Sequence, residues 1–472
     1  MRKNIDLHST SDGWRGVIAD SFTFEFVKQV SVALAHYLLR NQNGNCFIGY
    51  DTRFLSYEFA QTAYKTLACF GIKPLISPRP IPTPVVSYRT HQKELGCGVC
   101  ITASHNPYCY NGIKVRLGYG GPPDSNFVEE IEELIKIPKD ISTIADIEID
   151  YDDPINDYLR KIKTLLDLSV FKLRPLSIVV DTMHGATTGI LERLLAGTRC
   201  EIREINNDTD PYFGGVAPEP QKSNTKRLQE MVAGGPYRLG VAHDGDGDRI
   251  VAAIPERGYL SPHDISVALL WYLAKQRGER GTVVGSVTLS KRVSQLAQYL
   301  GLKYVETPIG FRNACQIMRK EHVLIAAEEN GGIGFGSHLP ERDGTIAAAL
   351  LVEAELTYKN GVEGILTDIS RIVGESGFCR KNLKLRTSPA TIIHHIKQNP
   401  PDVLAKHKVV EVSHVDGVKF LLQSGDWVNL RAAGTEKLLR IYAEAGDNHC
   451  AIKLAAAAES IVRKIERGQS NE

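Results

Sequence analysis

Three aspartates alternate with glycine in Asp244-Gly245-Asp246-Gly247-Asp248-Arg249, directly after the apolar run Leu239-Gly240-Val241-Ala242. Carboxylates at i, i+2 and i+4 of an extended segment point the same way, and the glycines let the backbone fold tightly around a small hard ion. With substrate oxygen and water, three carboxylate oxygens suit octahedral Mg²⁺. A calcium EF-hand needs Gly where Arg249 stands and Glu where Pro255 stands, so that reading fails. A solvated acidic turn is the plainer alternative, but three like charges at one strand end are costly without a cation.

Three other strings could carry chemistry. Thr102-Ala103-Ser104-His105-Asn106-Pro107 follows the apolar Gly98-Val99-Cys100-Ile101, a strand end that throws Ser, His and Asn into a turn closed by Pro. No G-x-S-x-G surrounds Ser104, and Asx-type hydrogen bonds alone would also explain such a turn. Asn111-Gly112-Ile113-Lys114-Val115 then reads as a turn into a strand that could return Lys114 to the same pocket. Glu328-Glu329-Asn330 opens a Gly-rich stretch running to His338 and closed by Arg342-Asp343-Gly344. Its carboxylates can accept from vicinal sugar hydroxyls, or the stretch is simply a flexible loop. No Gly-Lys dipeptide occurs, which excludes a Walker A loop, and no G-x-G-x-x-G fingerprint fits. Finally, Arg431-Ala432-Ala433-Gly434-Thr435-Glu436 holds the parts of a phosphate cradle, or of a plain hairpin turn.

The elements that must position these residues follow from pattern and length. At 472 residues the chain predicts roughly three domains. With 56 Lys+Arg against 55 Asp+Glu, the formal net charge of +1 offers no global field for nucleic acid or an anionic membrane. No apolar stretch is long enough to span a bilayer and no signal-peptide core opens the chain, so a soluble cytoplasmic protein is expected. Nine scattered cysteines make no disulfide framework, and Cys97 and Cys100 read as small core residues of one buried strand. A short apolar run, a polar turn and a helix-like stretch recur at Cys46–Tyr50, Ser177–Val180 and Thr282–Gly285. That alternation predicts α/β layering on mixed, largely parallel sheets. Linkers are predicted at Lys136–Pro154, Pro255–Pro262 and Arg371–Arg380, with a long exposed loop at Asn206–Asn224. The last hundred residues read as α+β, strand-like up to Ala445 and then an Ala-rich helix from Cys450 to Ile465.

Taken together and in this order, the strings resemble the α-D-phosphohexomutases, the phosphoglucomutase/phosphomannomutase superfamily. T-A-S-H-N-P and D-G-D-G-D-R are intact at 102–107 and 244–249. Ser11 to Gly16 is similar to the family's opening T-S-G-W-R-G, and Thr307-Pro308-Ile309-Gly310-Phe311-Arg312 to its T-P-x-G-F-K loop. Asp181-Thr182-Met183-His184-Gly185-Ala186 also fits the family pattern. The resemblance implies three related α/β domains and a C-terminal α+β domain around a central cleft, over 1–145, 146–257, 258–371 and 372–472.

It further implies a phosphoserine at Ser104 whose phosphate sits on Mg²⁺ held by Asp244, Asp246, Asp248 and Ser104 itself. Arg15 and Arg249 would hold its oxygens, with Lys114 and His105 beside the transferring group. Glu328 and Asn330 would read sugar hydroxyls, Gly310 and Arg342 would line the substrate, and Arg431, Gly434 and Thr435 would bind the other phosphate. Four positions depart from the family strings: Asn330 and Ala433 stand for serines, and Arg312 and Arg342 for lysines. The implied activity is interconversion of hexose 1-phosphate and 6-phosphate, glucose or mannose, through a 1,6-bisphosphate that also serves as activator, by a monomer or homodimer. Phosphoglucosamine mutase, a catalytically weak sugar-phosphate-binding regulator and an aspartyl Mg²⁺ phosphatase are the competing readings.

Overall fold

The computed structural model describes residues 9–10, 13–136, 146–432 and 438–469. They form two compact units, one of residues up to Thr282 together with Gly310–Leu366, the other of Val283–Ile309 together with Thr367 onward. Among the described residues, no helix is long and apolar enough to cross a membrane.

The first unit opens on a six-stranded sheet ordered Ser9–Thr10, Gly13–Val17, Tyr110–Leu117, Cys97–Ile101, Asn45–Tyr50, Lys73–Ile76. Its last three strands are parallel and the others antiparallel. Cys97–Ile101 is buried throughout, the continuous apolar run expected of a strand covered on both faces. The thiols of Cys97 and Cys100 are free and buried, as small core residues should be. Tyr110–Leu117 is the strand that matters for the site: Lys114 and Arg116, two apart, share one face of it.

A second sheet runs Gly258–Leu260, Ile250–Ile254, Leu239–His243, Leu176–Asp181, Cys200–Ile205. Leu239–His243 and Ile250–Ile254 are antiparallel, so the acidic string is the turn of a hairpin. The stretch Pro255–Pro262, predicted as a linker, also contributes the edge strand Gly258–Leu260, paired with Ile250–Ile254. Asn206–Asn224 is irregular apart from one short turn of helix at Phe213–Gly215, because its glycines and prolines leave no run to pair.

The Gly-rich stretch is not a free loop. Ile333–Phe335 pairs antiparallel with Val323–Ala327, making a second hairpin whose turn holds Glu328 to Gly332. Glycine is required there by close approach: a Cβ on Gly336 would fall 1.8 Å from the Val323 carbonyl oxygen. The hairpin leads into Gly344–Thr357, a helix buried on all sides, whose first turn is capped by Asp343 accepting from the Ile346 N–H at 3.0 Å.

In the second unit, Thr282–Ser286 and Tyr304–Thr307 run parallel, joined through the helix Lys291–Tyr299. An antiparallel sheet follows in the order Gly377–Lys384, Leu438–Ala445, Trp427–Ala432, Val418–Leu422, His407–Ser413, Val403–Leu404. The helices Pro389–Gln398 and Asn448–Gln469 accompany it, the α+β arrangement expected of this end. The buried Glu444 carboxylate ties sheet to helix, accepting from the Trp427 indole at 2.5 Å, the Lys291 N–H at 2.8 Å and the Ser290 hydroxyl.

Burial pushes Asp343 up to about 7, although the Tyr158 hydroxyl donates to both its oxygens at 2.9 Å. The native state therefore holds a proton that the unfolded chain has already released near pH 4, and this group makes stability fall as pH rises from about 4 to 7. Asp343→Asn keeps a capping oxygen and removes that slope. Its unfolding free energy should gain on the parent's from pH 4 to 7, at up to about 1.4 kcal/mol per pH unit, with the melting temperature following, and hold level above 7. Parallel pH profiles of the two proteins would refute this.

Candidate active site in the first unit

Two tight turns meet here. Ser104 has a left-handed backbone, φ 54°, so the serine is swung out of line with the strand that precedes it. The acidic turn is also bent, with Gly247 at φ 71°. The carboxylates thus converge because the chain turns between two antiparallel strands, not through the extended alternation that the i, i+2, i+4 spacing suggests. Gly245 permits the contact between the turns: a Cβ there would lie 2.8 Å from the Ser104 carbonyl oxygen.

Ser104 and the three aspartates are fully buried. The Ser104 hydroxyl donates to Asp244 Oδ2 at 2.7 Å, and His105 Nδ1 lies 3.3 Å from Ser104 Oγ. One oxygen from each aspartate falls within 4.8 Å of the others, the one group of three or more such ligand residues among those described. Lys114 Nζ sits between Asp246 Oδ2 at 2.6 Å and Asp248 Oδ2 at 2.7 Å. The Thr83 hydroxyl adds a 2.5 Å bond to Asp246 Oδ2. Asp246 Oδ1 and Asp248 Oδ1 are buried with no hydrogen-bond partner. Unsatisfied, desolvated carboxylate oxygens are expensive unless a cation takes them, and an all-oxygen set of this kind suits Mg²⁺. The residues present fit a divalent metal.

Electrostatics divides the three acids. Burial, then the like charges of Asp246 and Asp248, pushes Asp244 well above the usual carboxylate range. Burial also works against an ionised Asp246, but the Lys114 ammonium and the Thr83 hydroxyl overcome it and hold that group far below the usual range.

Arginines ring the triplet. Arg249 donates its N–H to Asp244 Oδ1 at 3.1 Å, and its Nε lies 3.8 Å from Asp244 Oδ2 and from Asp248 Oδ1. Arg15 Nη1 donates to Asn106 Oδ1 at 2.7 Å, in the serine loop. Arg342 Nη2 donates to Asp248 Oδ2 at 2.8 Å while its Nη1 faces Glu328 Oε2 at 3.5 Å. Glu328 is itself buried, which raises its pKa, and Oε1 accepts from the Gly310 N–H at 2.9 Å. The Glu328–Gly332 turn docks on the acidic hairpin through Ile250 N–H to the Gly331 carbonyl, 3.1 Å. Asn330 Oδ1 is committed to the Gly332 N–H at 2.9 Å.

Ser104, His105, Lys114, Arg15, Arg249, Gly310, Glu328, Asn330, Arg342 and the aspartates therefore share one neighbourhood. Arg431 belongs to the second unit, where its Nε donates to Asp416 at 2.9 Å, and Gly434 and Thr435 lie outside the described residues. Four contributors carried no local signal. Thr83 reaches Asp246 from a helix start more than a hundred residues upstream. Arg116 pairs with Glu341, which also accepts from Ser87 at 3.1 Å and from the Arg342 N–H at 3.0 Å. The one clue in the sequence was a pair of cations, Lys114 and Arg116, alternating with Ile113, Val115 and Leu117 in a buried strand.

Comparison with known proteins agrees with this geometry. Four models match in order: Phosphoglucomutase/phosphomannomutase alpha/beta/alpha domain I at residues 8–140, domain II at 156–258, domain III at 261–371 and the C-terminal domain at 395–459. A phosphoglucomutase/phosphomannomutase of Thermococcus kodakarensis is 29% identical over 92% of this chain and 93% of its own. A phosphoglucosamine/phosphogalactosamine mutase of Sulfurisphaera tokodaii is 29% identical over 96% of this chain and 98% of its own. A solved structure from Thermus thermophilus, assigned as a phosphomannomutase, superposes with a TM-score of 0.86 at 29% identity, covering 97% of this chain and 99% of that one. The four matched models span most of the sequence, and the chain belongs to the phosphoglucomutase/phosphomannomutase family.

Proposed function

We propose that this protein interconverts a hexose 1-phosphate and a hexose 6-phosphate through a phosphoserine at Ser104 and a 1,6-bisphosphate. The observation that supports it most is the buried Ser104 hydroxyl at 2.7 Å from Asp244, beside two carboxylate oxygens that lack a hydrogen-bond partner. Ser104, Asp244, Asp246 and Asp248 would hold Mg²⁺. Bound there, the ion supplies positive charge against the oxygens of the transferring phosphoryl group.

The protein's own groups account for the rest. The phosphoserine Oγ–P bond breaks as the free hydroxyl of the sugar phosphate forms its own O–P bond. His105, 3.3 Å from the serine oxygen, and Lys114 stand where the displaced proton must be held. On return, the other sugar O–P bond breaks, Ser104 regains a phosphate, and its proton leaves with the sugar oxygen. Arg15 and Arg249 steady the equatorial oxygens, as phosphoryl transfer requires in-line positioning and charge cancellation. Glu328, Asn330, Gly310 and Arg342 meet the sugar, and Arg431, Gly434 and Thr435 take the phosphate that is not reacting. In this reading the serine, metal, sugar and second-phosphate loops fall in residues 1–145, 146–257, 258–371 and 372–472.

The relatives carry both phosphoglucomutase/phosphomannomutase and phosphoglucosamine mutase names, so glucosamine phosphate stands beside glucose and mannose phosphates as substrate. Coupled 1-phosphate to 6-phosphate turnover on all three, with trace bisphosphate, assigns the sugar. Turnover on none by a folded protein would leave a binding role. Ser104→Ala should lower isomerisation at least about 10³-fold and remove a single phosphate from the intact mass. An aspartyl phosphatase would instead keep releasing phosphate in that variant. Chelation should bring turnover to background and added Mg²⁺ restore it. Asp246→Asn should raise the Mg²⁺ needed for half activity at least about tenfold, and an unchanged requirement would remove these acids as the metal's ligands.

A further inference from the structure

Asp51-Thr52-Arg53, the turn after the strand Asn45–Tyr50, takes no part in the chemistry above, yet Asp51 is 1% exposed and Arg53 3%. The Arg53 guanidinium lies beneath the serine loop. Its Nη2 donates to the carbonyls of Ser104 at 2.5 Å and Asn106 at 2.7 Å. Its Nη1 donates to those of Pro107 at 2.9 Å and Tyr110 at 3.0 Å. Its Nε pairs with Asp51 Oδ2 at 3.1 Å. All five donors of one arginine are thus used, four of them on the main chain of residues 104–110.

Asp51 closes the circuit. Its Oδ2 also accepts from the Thr102 hydroxyl at 2.5 Å, and its Oδ1 from the Ser56 hydroxyl at 2.7 Å. Thr102 Oγ1 in turn accepts from the Ser104 N–H at 2.8 Å. The N–H of Ser104 reaches Asp51 through Thr102, and its carbonyl reaches the same Asp51 through Arg53. A left-handed serine costs of order 1 kcal/mol and persists only where its surroundings over-determine it. Here one buried ion pair fixes the residue from both sides. The same turn also grips the part of the unit that carries the metal loop: the Thr52 hydroxyl donates to the His184 carbonyl at 2.7 Å, and the Arg53 guanidinium lies 4.9 Å from the Phe213 ring centroid.

We propose that Asp51, Arg53 and Thr102 are positioning residues that set the register of Ser104 Oγ against the three aspartates, and so govern the rate of phosphoryl transfer without touching substrate. This rests on the phosphoserine reading above. An error of 1 Å in such a register can cost about 10² in rate, because in-line transfer tolerates little misplacement.

Thr102→Val keeps the branched shape and loses both hydrogen bonds; Thr102→Ser keeps the hydroxyl. Arg53→Lys keeps a charge but cannot serve four carbonyls. In the full-length protein, Thr102→Val is expected to melt within a few degrees of the parent and keep KM within about twofold. Its kcat and its single-turnover transfer from phosphoserine should fall at least about tenfold. Thr102→Ser should recover most of both, and Arg53→Lys should lose more than Thr102→Val. Equal kcat in Thr102→Val and the parent overturns the proposal. So does a loss shared by KM and melting temperature that Thr102→Ser fails to relieve. Ser104→Ala separates the two readings: if it still isomerises, the phosphoserine reading is wrong, whereas if it is dead while Thr102→Val is fully active, only the clamp is.

Discussion

Three ionised groups of like sign cannot share a dry site unaided. Two unit charges about 4 Å apart repel by about 4 kcal/mol at an effective dielectric near 20, and the triplet contains three such pairs. Asp244, Asp246 and Asp248 are all fully buried, so solvent screening offers little relief. Lys114, Arg249 and Arg342 supply the opposing charge, and only Arg249 comes from the same turn. Lys114 stands on a strand of the first sheet, and Arg342 follows the Gly-rich hairpin. The acidic turn therefore dictates where three separate segments of the first unit must meet.

That demand explains the pairing of Arg116 with Glu341. Strand alternation puts Arg116 on the face that carries Lys114, and sequence adjacency puts Glu341 beside Arg342. One buried ion pair thus locks together the two segments whose cations serve Asp248. Removing one partner would strand a buried charge at about 3–5 kcal/mol, far more than a surface pair is worth. The acidic turn, the serine turn and the Gly-rich hairpin are in this sense one electrostatic object built from distant sequence.

What could be read in advance was whatever is local. The strings at 102–107 and 244–249 could be singled out because the reactive side-chain types within each sit a few residues apart. The Gly-rich stretch at 331–336 read as a loop because strand propensity is carried by β-branched and aromatic side chains, and here Gly334 and Gly336 are imposed by the Phe311 ring and the Val323 carbonyl. The strand Gly258–Leu260 was hidden by flanking prolines that only mark its ends. The clamp around Ser104 was out of reach for another reason. Arg53 acts on carbonyls more than fifty residues away, and a guanidinium that bonds main chain leaves no partner side chain to recognise.

The same contrast bears on where this chain departs from its family's strings. Each buried charge in the phosphoryl-transfer centre has partners in other segments, so changing any one residue there disturbs several. Asn330 is different: half-buried at a hairpin turn, its amide oxygen is satisfied within that turn by the Gly332 N–H. A serine hydroxyl and an asparagine amide are exchangeable there at small cost to folding, yet they present different donors to a sugar. On the proposed function, the reaction class is carried by groups that cannot be varied singly, while the choice of sugar would rest on turn residues that can.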